Sequence, residues 1–350
     1  NYLPLRLWAD LCLKANKLGQ IDITQRRAYL IASHFTSMTH KPEVIARQKE
    51  VVDGNGRKIP IVAVGKSHFP LGFINYRIPN CDIAGHLKDI QNLSMRNDDV
   101  LICAFMKSGT HWLWEVVQML LRGNAKYETR TKLSAMIDIR TPEQLDAIAS
   151  PRVLNTHLPV DMLPSDVLSK RISIIHIMRN PKDVAVSLYH HIKAMAPGGR
   201  SYPGGFHGFL PLFMDENNYI LYYWFDYILE YEQFKNRHRN FPVLTVFYEN
   251  LKKYPKEEIL KIARFLGTRS DDHFIEEVME KVEFHKLKMA TEMLKDDDSA
   301  KHYIGGKSFI YRKGEVGEWR NWFSQEMNSQ MNILLREKLT SCRLKFKFLP

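Results

Sequence analysis

The stretch Leu101–Arg122, LICAFMKSGTHWLWEVVQMLLR, changes character twice. It opens as an unbroken apolar run, halts at Met106-Lys107-Ser108-Gly109, and resumes with apolar residues at helical spacing. An unbroken apolar run suits a parallel strand buried on both faces; the second pattern suits a helix packed on a core. The turn between them would set Lys107, Ser108, Thr110 and His111 at a helix N-terminus, where free N–H groups and the helix dipole favour an anion. Gly109 would let the backbone come close to it. The turn lacks the upstream glycine of the G-x-x-x-x-G-K-[ST] pattern, so which anion it holds stays open at this point. Gly65-Lys66-Ser67 and Gly306-Lys307-Ser308 show how cheap such strings are: neither clearly links a strand to a helix.

Outward from this stretch, strands alternate with helices. SPRVLNTHLP reads as a short strand running into a polar loop, RISIIHIMR as a strongly apolar strand, and PVLTVFYENL as another strand. Between them, NPKDVAVSLYHHIKAM reads as a helix with Pro181 in its first turn, where a missing N–H is harmless. APGGRSYPGGFHGF reads as a loop, NNYILYYWFDYILEYEQFKNRH as one long helix, and KEEILKIARFLG as a further helix. The alternation predicts an α/β fold, a central parallel sheet flanked by helices in three layers, with ligands at the carboxyl ends of the strands. Residues 1–55 carry no motif and read as an extension of helices and loops of unassigned role; residues 56–350 form the main domain. RKIPIVAV and FPLGFINYRIP read as short strands or an irregular arm.

The 350 residues suit one large α/β domain, and an apolar share of 45% is ample for a core. Fifty Lys and Arg against 39 Asp and Glu give a net charge of +11, compatible with an anionic ligand. No long basic run or basic-aromatic pattern marks a nucleic-acid binder. No apolar run reaches the roughly 20 residues of a membrane span, so the chain reads as cytoplasmic. The start at Asn1 leaves an upstream segment open. The four cysteines are far apart and form no C-x-x-C pair, which points to neither a disulfide framework nor a zinc site.

Three further pieces join the Lys107 turn at the expected strand ends. Arg179 leaves a strand in MRNPKDVAVS, and Ser187 follows in the next helix. Arg312, Lys313 and Gly314 form a cationic turn in FIYRKGEVGEW. His157 stands just past a strand end in NTHLP. With these four pieces the chain resembles the cytosolic sulfotransferase family over roughly residues 55–345. Met106 to Trp112 is similar to that family's P-K-S-G-T-x-W phosphosulfate loop, RNPKDVAVS to its 3′-phosphate motif, and Arg312 to Trp319 to its R-K-G-x-x-G-x-W. FYENLKKYP resembles the segment that follows the family's third strand.

The resemblance implies a P-loop-like fold and a 3′-phosphoadenosine 5′-phosphosulfate (PAPS) donor, with a small-molecule acceptor and no metal. It implies that Lys107, Ser108, Gly109, Thr110 and His111 hold the 5′-phosphosulfate, and that Arg179, Ser187, Arg312, Lys313 and Gly314 hold the 3′-phosphate. Trp112 and Phe284 would stack on adenine, with Tyr248 close by. His157 would take the acceptor proton and Lys107 would neutralise the leaving oxygen. Tyr202, Phe206, Phe209 and Phe213 suggest an apolar or aromatic acceptor. The chain departs from the family where K-T-H becomes Asn155-Thr156-His157; the expectation is that the Asn155 amide donates to the sulfonyl oxygens in the lysine's stead. Met106 replaces a proline and His111 a threonine. The family's dimer motif has lost its Thr-Val core and final Glu in Arg320–Ser329, which leaves a homodimer by that route open. A nucleotide-binding protein without transfer activity is the competing reading.

Overall fold

The computed structural model describes residues 45–70, 82–195, 201–294, 310–340 and 342–349. The expectations for residues 1–44, for FINYRIP, for the start of the Ala196 loop and for Gly306-Lys307-Ser308 fall outside them.

Four strands form the parallel sheet: β4 (Val100–Ala104), β5 (Val153–Thr156), β6 (Ser173–Met178) and β7 (Val243–Phe247), in the order β5-β4-β6-β7. Ile102 pairs with Asn155 on one side and with Ile175 on the other. Every residue of β4 is buried, as its unbroken apolar run requires. Val100, Ile102 and Ala104 face a core built with Leu113, Val117 and Leu120 of the Thr110–Arg122 helix, Ile259 and Ile262 of Pro255–Leu266, and Phe274 and Val278 of Asp272–Lys281. His176 of β6 stacks at 4.1 Å on Tyr231 of the Trp224–Arg237 helix. The result is the helix–sheet–helix sandwich that the β-α alternation predicts.

Local chemistry stops each helix where the sequence changes. Gly123, at φ 65°, closes the Thr110 helix. Asn180 caps the Pro181–Lys193 helix by accepting from the Asp183 N–H. At the strands' amino ends, buried Arg152 grips Asp99 with Nε at 2.8 Å and Nη2 at 2.6 Å, tying the start of β5 to the start of β4. The carboxyl ends lie together at the opposite edge because all four strands run the same way. Residues that follow them therefore meet without being neighbours in sequence.

A second, antiparallel sheet comprises β1 (Ala46–Val52), β2 (Lys58–Val64) and β3 (Ser67–Pro70). The expected helix-and-loop character of the residues before 55 does not hold at β1, which pairs with β2 along its whole length. Asp53 accepts from the Asn55 and Arg57 N–H groups and sets the connecting turn. Gly65-Lys66-Ser67 is the turn from β2 to β3. Two other expectations fail in their bounds. The long helix begins at Trp224, because Leu221 exchanges both backbone hydrogen bonds with His68 of β3. The loop read through Phe209 gives way to a helix at Phe206, which runs to Met214.

Candidate functional site

The Lys107 turn is shaped by its backbone. Lys107 has φ 68° and Gly109 φ 104°, both left-handed. A Cβ on Gly109 would stand 2.7 Å from Cδ2 of Tyr248, so only glycine fits. Gly109 then leads into the Thr110–Arg122 helix, whose first turn leaves the N–H groups of Gly109, Thr110, His111 and Trp112 without intrahelical acceptors. Burial, followed by the charges of Arg179, Arg312 and Lys132, lowers the Lys107 pKa to about 7. A cluster of cations this tight is held apart only at an energetic disadvantage that an anion would relieve.

Arg179 follows β6 and reaches the turn from the side. Its Nη1 donates to Lys107 O at 3.2 Å and its Nη2 to Glu315 O at 2.9 Å, while the guanidinium lies 4.2 Å from the Tyr248 ring centre. The C-terminal cationic turn is docked by Asp183, whose carboxylate accepts from the Gly317 and Trp319 N–H groups at 2.8 and 2.9 Å. Glu318 pairs with Lys313 at 2.7 Å and Arg312 at 3.5 Å. Gly314, at φ 70°, lies so close to Phe284 that a Cβ would meet its ring at 2.2 Å. Trp112 meets Tyr248 edge-on at 5.8 Å.

His157 follows β5. Its Nδ1 lies 2.8 Å from Ala104 O, at the end of the neighbouring strand. A carbonyl only accepts, so Nδ1 carries the proton and Nε2 keeps its lone pair. Asp138 accepts from the His157 backbone N–H at 2.9 Å and fixes the ring's origin. Burial, then the charge of Lys132, lowers the His157 pKa to about 3. The imidazole is therefore neutral and able to accept a proton.

Asn155 is placed differently from expectation. Its Nδ2 donates to Lys132 O and Ala135 O, both at 3.0 Å, and its Oδ1 accepts from Lys132 Nζ at 2.6 Å. Both amide hydrogens are engaged by backbone, which leaves none for a sulfonyl oxygen. Lys132, in the 3₁₀ turn Lys132–Ala135, is the residue that sequence reading missed. It lies 23 positions before Asn155 in no recognisable motif, and only the fold joins them.

These residues surround one cavity of about 500 Å³. Its wall includes Lys107, Gly109, Thr110, His111, Trp112, Arg179, Ser187, Tyr248, Phe284, Arg312, Lys313 and Gly314, together with Lys132 and His157. Ser108 and Asn155 lie behind the wall. Apolar residues also line the cavity, among them Pro70, Ile139, Ile192, Met195 and Leu221, with Leu133 and Met136 on the turn next to Asn155. The aromatics expected there are elsewhere: Tyr202, Phe206 and Phe209 are buried around Tyr189, with Trp322 against Phe206, and Phe213 is buried edge-on to Phe105.

The geometry agrees with comparisons to known proteins. A family model described as a sulfotransferase domain matches residues 97–343. Sulfotransferase 1B1 of Canis lupus familiaris is 30% identical over 285 residues, covering 75% of this chain and 91% of that protein. Sulfotransferase 1A1 of Rattus norvegicus is 31% identical over 274 residues, covering 74% and 90%. The crystal structure of mouse sulfotransferase SULT7A1 complexed with PAP shares 27% identity and a TM-score of 0.61, covering 79% of this chain and 92% of that one. Retinol dehydratase in complex with retinol and PAP, at 20% identity and a TM-score of 0.63, covers 90% and 96% and speaks to the fold alone. The chain belongs to the sulfotransferase family and is an enzyme of sulfonate transfer.

Proposed function

We propose that this enzyme moves the sulfonyl group of PAPS onto the hydroxyl of a small apolar acceptor, with His157 as the base, as a cytosolic protein. The observation that carries the reading is that His157, with Nε2 free to accept, shares one cavity with the Lys107 turn. The fit of the nucleotide rests on orphaned polar atoms of the wall: His111 Nε2 and Arg179 Nε are buried and have no hydrogen-bond partner among the described residues. Such groups are tolerated where a ligand completes them.

The Lys107 turn would hold the 5′-phosphosulfate. Arg179, Ser187 and the Arg312–Gly314 turn would hold the 3′-phosphate, with Trp112, Tyr248 and Phe284 against the adenine. When bound, PAPS supplies an activated sulfonyl whose leaving group is the 5′-phosphate oxygen. His157 Nε2 takes the acceptor's hydroxyl proton as the new S–O bond forms. Lys107 and the helix N–H groups stabilise the electron pair left on the phosphate oxygen. The apolar lining from Leu133, Met136, Ile139 and Met195 favours an uncharged, apolar acceptor over a polar one.

The test pairs binding with turnover. Adenosine 3′,5′-bisphosphate (PAP) in hundredfold excess over its Kd is expected to add about 2.7 kcal/mol of stability, with a far smaller shift from AMP or ATP. Labelled PAPS with a panel of phenols and alcohols is expected to yield labelled product from the apolar members. Equal shifts with AMP would refute the doubly anchored nucleotide. PAP binding without transfer to any acceptor would establish the binding-protein reading instead.

A further inference from the structure

Where the family carries the lysine of K-T-H, this chain carries Asn155, and a different lysine is bonded to it. Asn155 and His157 are two residues apart at the end of β5, a spacing that sets side chains on one face of a strand. Asn155 does not reach the cavity itself; Lys132, bonded to its Oδ1, lines it. We propose that Lys132 is the cation that contacts the transferring sulfonyl group, and that Asn155 is the positioning residue that holds it there. The inference rests on the sulfonate-transfer reading above and names a further residue of that reaction.

Four observations carry it. Lys132 is 2% exposed. Among the described residues it has one hydrogen-bond partner, the neutral Oδ1 of Asn155, and no carboxylate within ion-pair distance. An ammonium has three donors, so two remain for a ligand. The charge of Asp138 opposes the effect of burial, which still lowers the Lys132 pKa to about 8; a buried cation without a direct ion pair is unfavourable unless something anionic meets it. Finally, next to burial, the Lys132 charge lowers the pKa of His157 and of His111, and with Arg179 and Arg312 that of Lys107. Bonded to Asn155 two residues before His157, and lining the same cavity as His157 and Lys107, it stands beside the residues assigned to the acceptor proton and the phosphosulfate.

Asn155 is built to aim it. Three hydrogen bonds from one side chain bind both ends of the 3₁₀ turn and the tip of the lysine that grows from it. A lysine at position 155 would find the same space already filled by Lys132 and would bring a second positive charge into it. The two residue choices are thus coupled: the charge has moved from the strand to the turn beside it, and the strand position has become its support.

The experiment compares single-turnover transfer and ligand affinity. Lys132→Met preserves the length and apolar stem of the side chain. It is expected to slow transfer about 10²-fold, the scale of one lost transition-state donor, and to weaken PAPS binding while leaving PAP binding within about threefold. That difference between PAPS and PAP is the signature of contact with the sulfonyl, and a merely structural role would not produce it. Asn155→Ala is expected to slow transfer with PAP still bound, and to have no added effect in the Lys132→Met background, because coupled residues are non-additive. Lys132→Met with Asn155→Lys is expected to regain at least tenfold over Lys132→Met alone. A Lys132→Met enzyme that transfers at the wild-type rate would overturn the inference, as would equal losses of PAP and PAPS affinity. If the wild type binds PAP and transfers to no acceptor, it is the underlying reading that fails.

Discussion

The cavity has two ends that differ in how they are made. The end proposed for the nucleotide is assembled from short segments: Met106 to Trp112 on the turn from β4 into a helix, Arg179 and Ser187 after β6, and Arg312 to Gly314 on an irregular turn before the 3₁₀ helix Glu318–Asn321. Two of the three carry their own backbone solution, with left-handed Gly109 and Gly314 pressed against Tyr248 and Phe284. The acceptor end has no such segment. His157 takes its tautomer from Ala104 on another strand and its backbone anchor from Asp138, and the apolar wall comes from β3, the Lys132 turn, the Pro181 helix and Leu221. A charged ligand of fixed shape is met by local backbone geometry, whereas chemistry at a hydroxyl depends on side chains brought together by tertiary packing.

The comparison breaks most sharply at His157. His157→Ala is expected to lower turnover by roughly 10² to 10⁴, the range for a lost general base, and to leave PAP affinity almost unchanged. Quench-flow transfer at saturating PAPS, alongside calorimetric titration of PAP, would show it. A variant that transfers normally would reassign the residue to holding the end of β4.

At the other end the opposite pattern is expected. Gly314→Ala sets a Cβ into the Phe284 ring and forces a left-handed φ on alanine, which is unfavourable by about 1–2 kcal/mol. The turn that carries Arg312 and Lys313 then has to shift. PAP affinity is expected to fall at least tenfold, on the order of the strain converted at 1.4 kcal/mol per decade, while the single-turnover rate at saturating PAPS stays within a few fold. A loss of rate without a loss of affinity would mean that the two ends are not separable.

The same division explains what could be read beforehand. The cradle was legible because its residues are contiguous and a turn's chemistry is local. The parallel strands were legible because burial on both faces leaves an unbroken apolar run. Lys132 was not legible: its role depends on Asn155, 23 residues away, through a bond that exists only once β5 is in the sheet. Residues 217–223 looked helical by composition, yet Leu221 is drawn into backbone pairing with His68 at φ 67°, a tertiary demand that overrides local preference. β1 was hidden for a related reason: it is mostly exposed, so no alternation marks it, and pairing with β2 through the Asp53 turn decides its form. The acceptor aromatics were misjudged because a Gly- and aromatic-rich run resembles a pocket mouth, whereas rings such as Phe209 and Tyr189 have one another to pack on.

The smallest effect concerns acidity and separates a cavity histidine from a sheet histidine. Burial lowers the pKa of both His157 and His176 to about 3, followed in the first by the charge of Lys132 and in the second by that of Lys235. An unfolded histidine titrates near 6.5, so between those values the unfolded chain binds a proton that the folded one does not. Stability from this source is complete above about pH 6.5 and is lost as the pH falls towards 3, at up to about 1.4 kcal/mol per pH unit for each residue. Glu115, raised by burial to about 7, has the opposite slope in part of this range, so the measurement is a difference between variants. His176→Phe keeps a ring against Tyr231 and removes one titration; between pH 6.5 and 5 its stability is expected to fall less steeply than that of the wild type. PAP should leave this difference unchanged, because neither His176 nor Lys235 lines the cavity. At His157 and His111 an anionic ligand favours the protonated ring, so the stabilisation that PAP gives the wild type is expected to grow as the pH is lowered over the same interval, and to grow less in His157→Ala. Denaturant unfolding of the three proteins at pH 5.0 and 6.5, with and without PAP, measures both slopes; a His176→Phe curve parallel to the wild type would show that His176 titrates in the fold as it does in the unfolded chain.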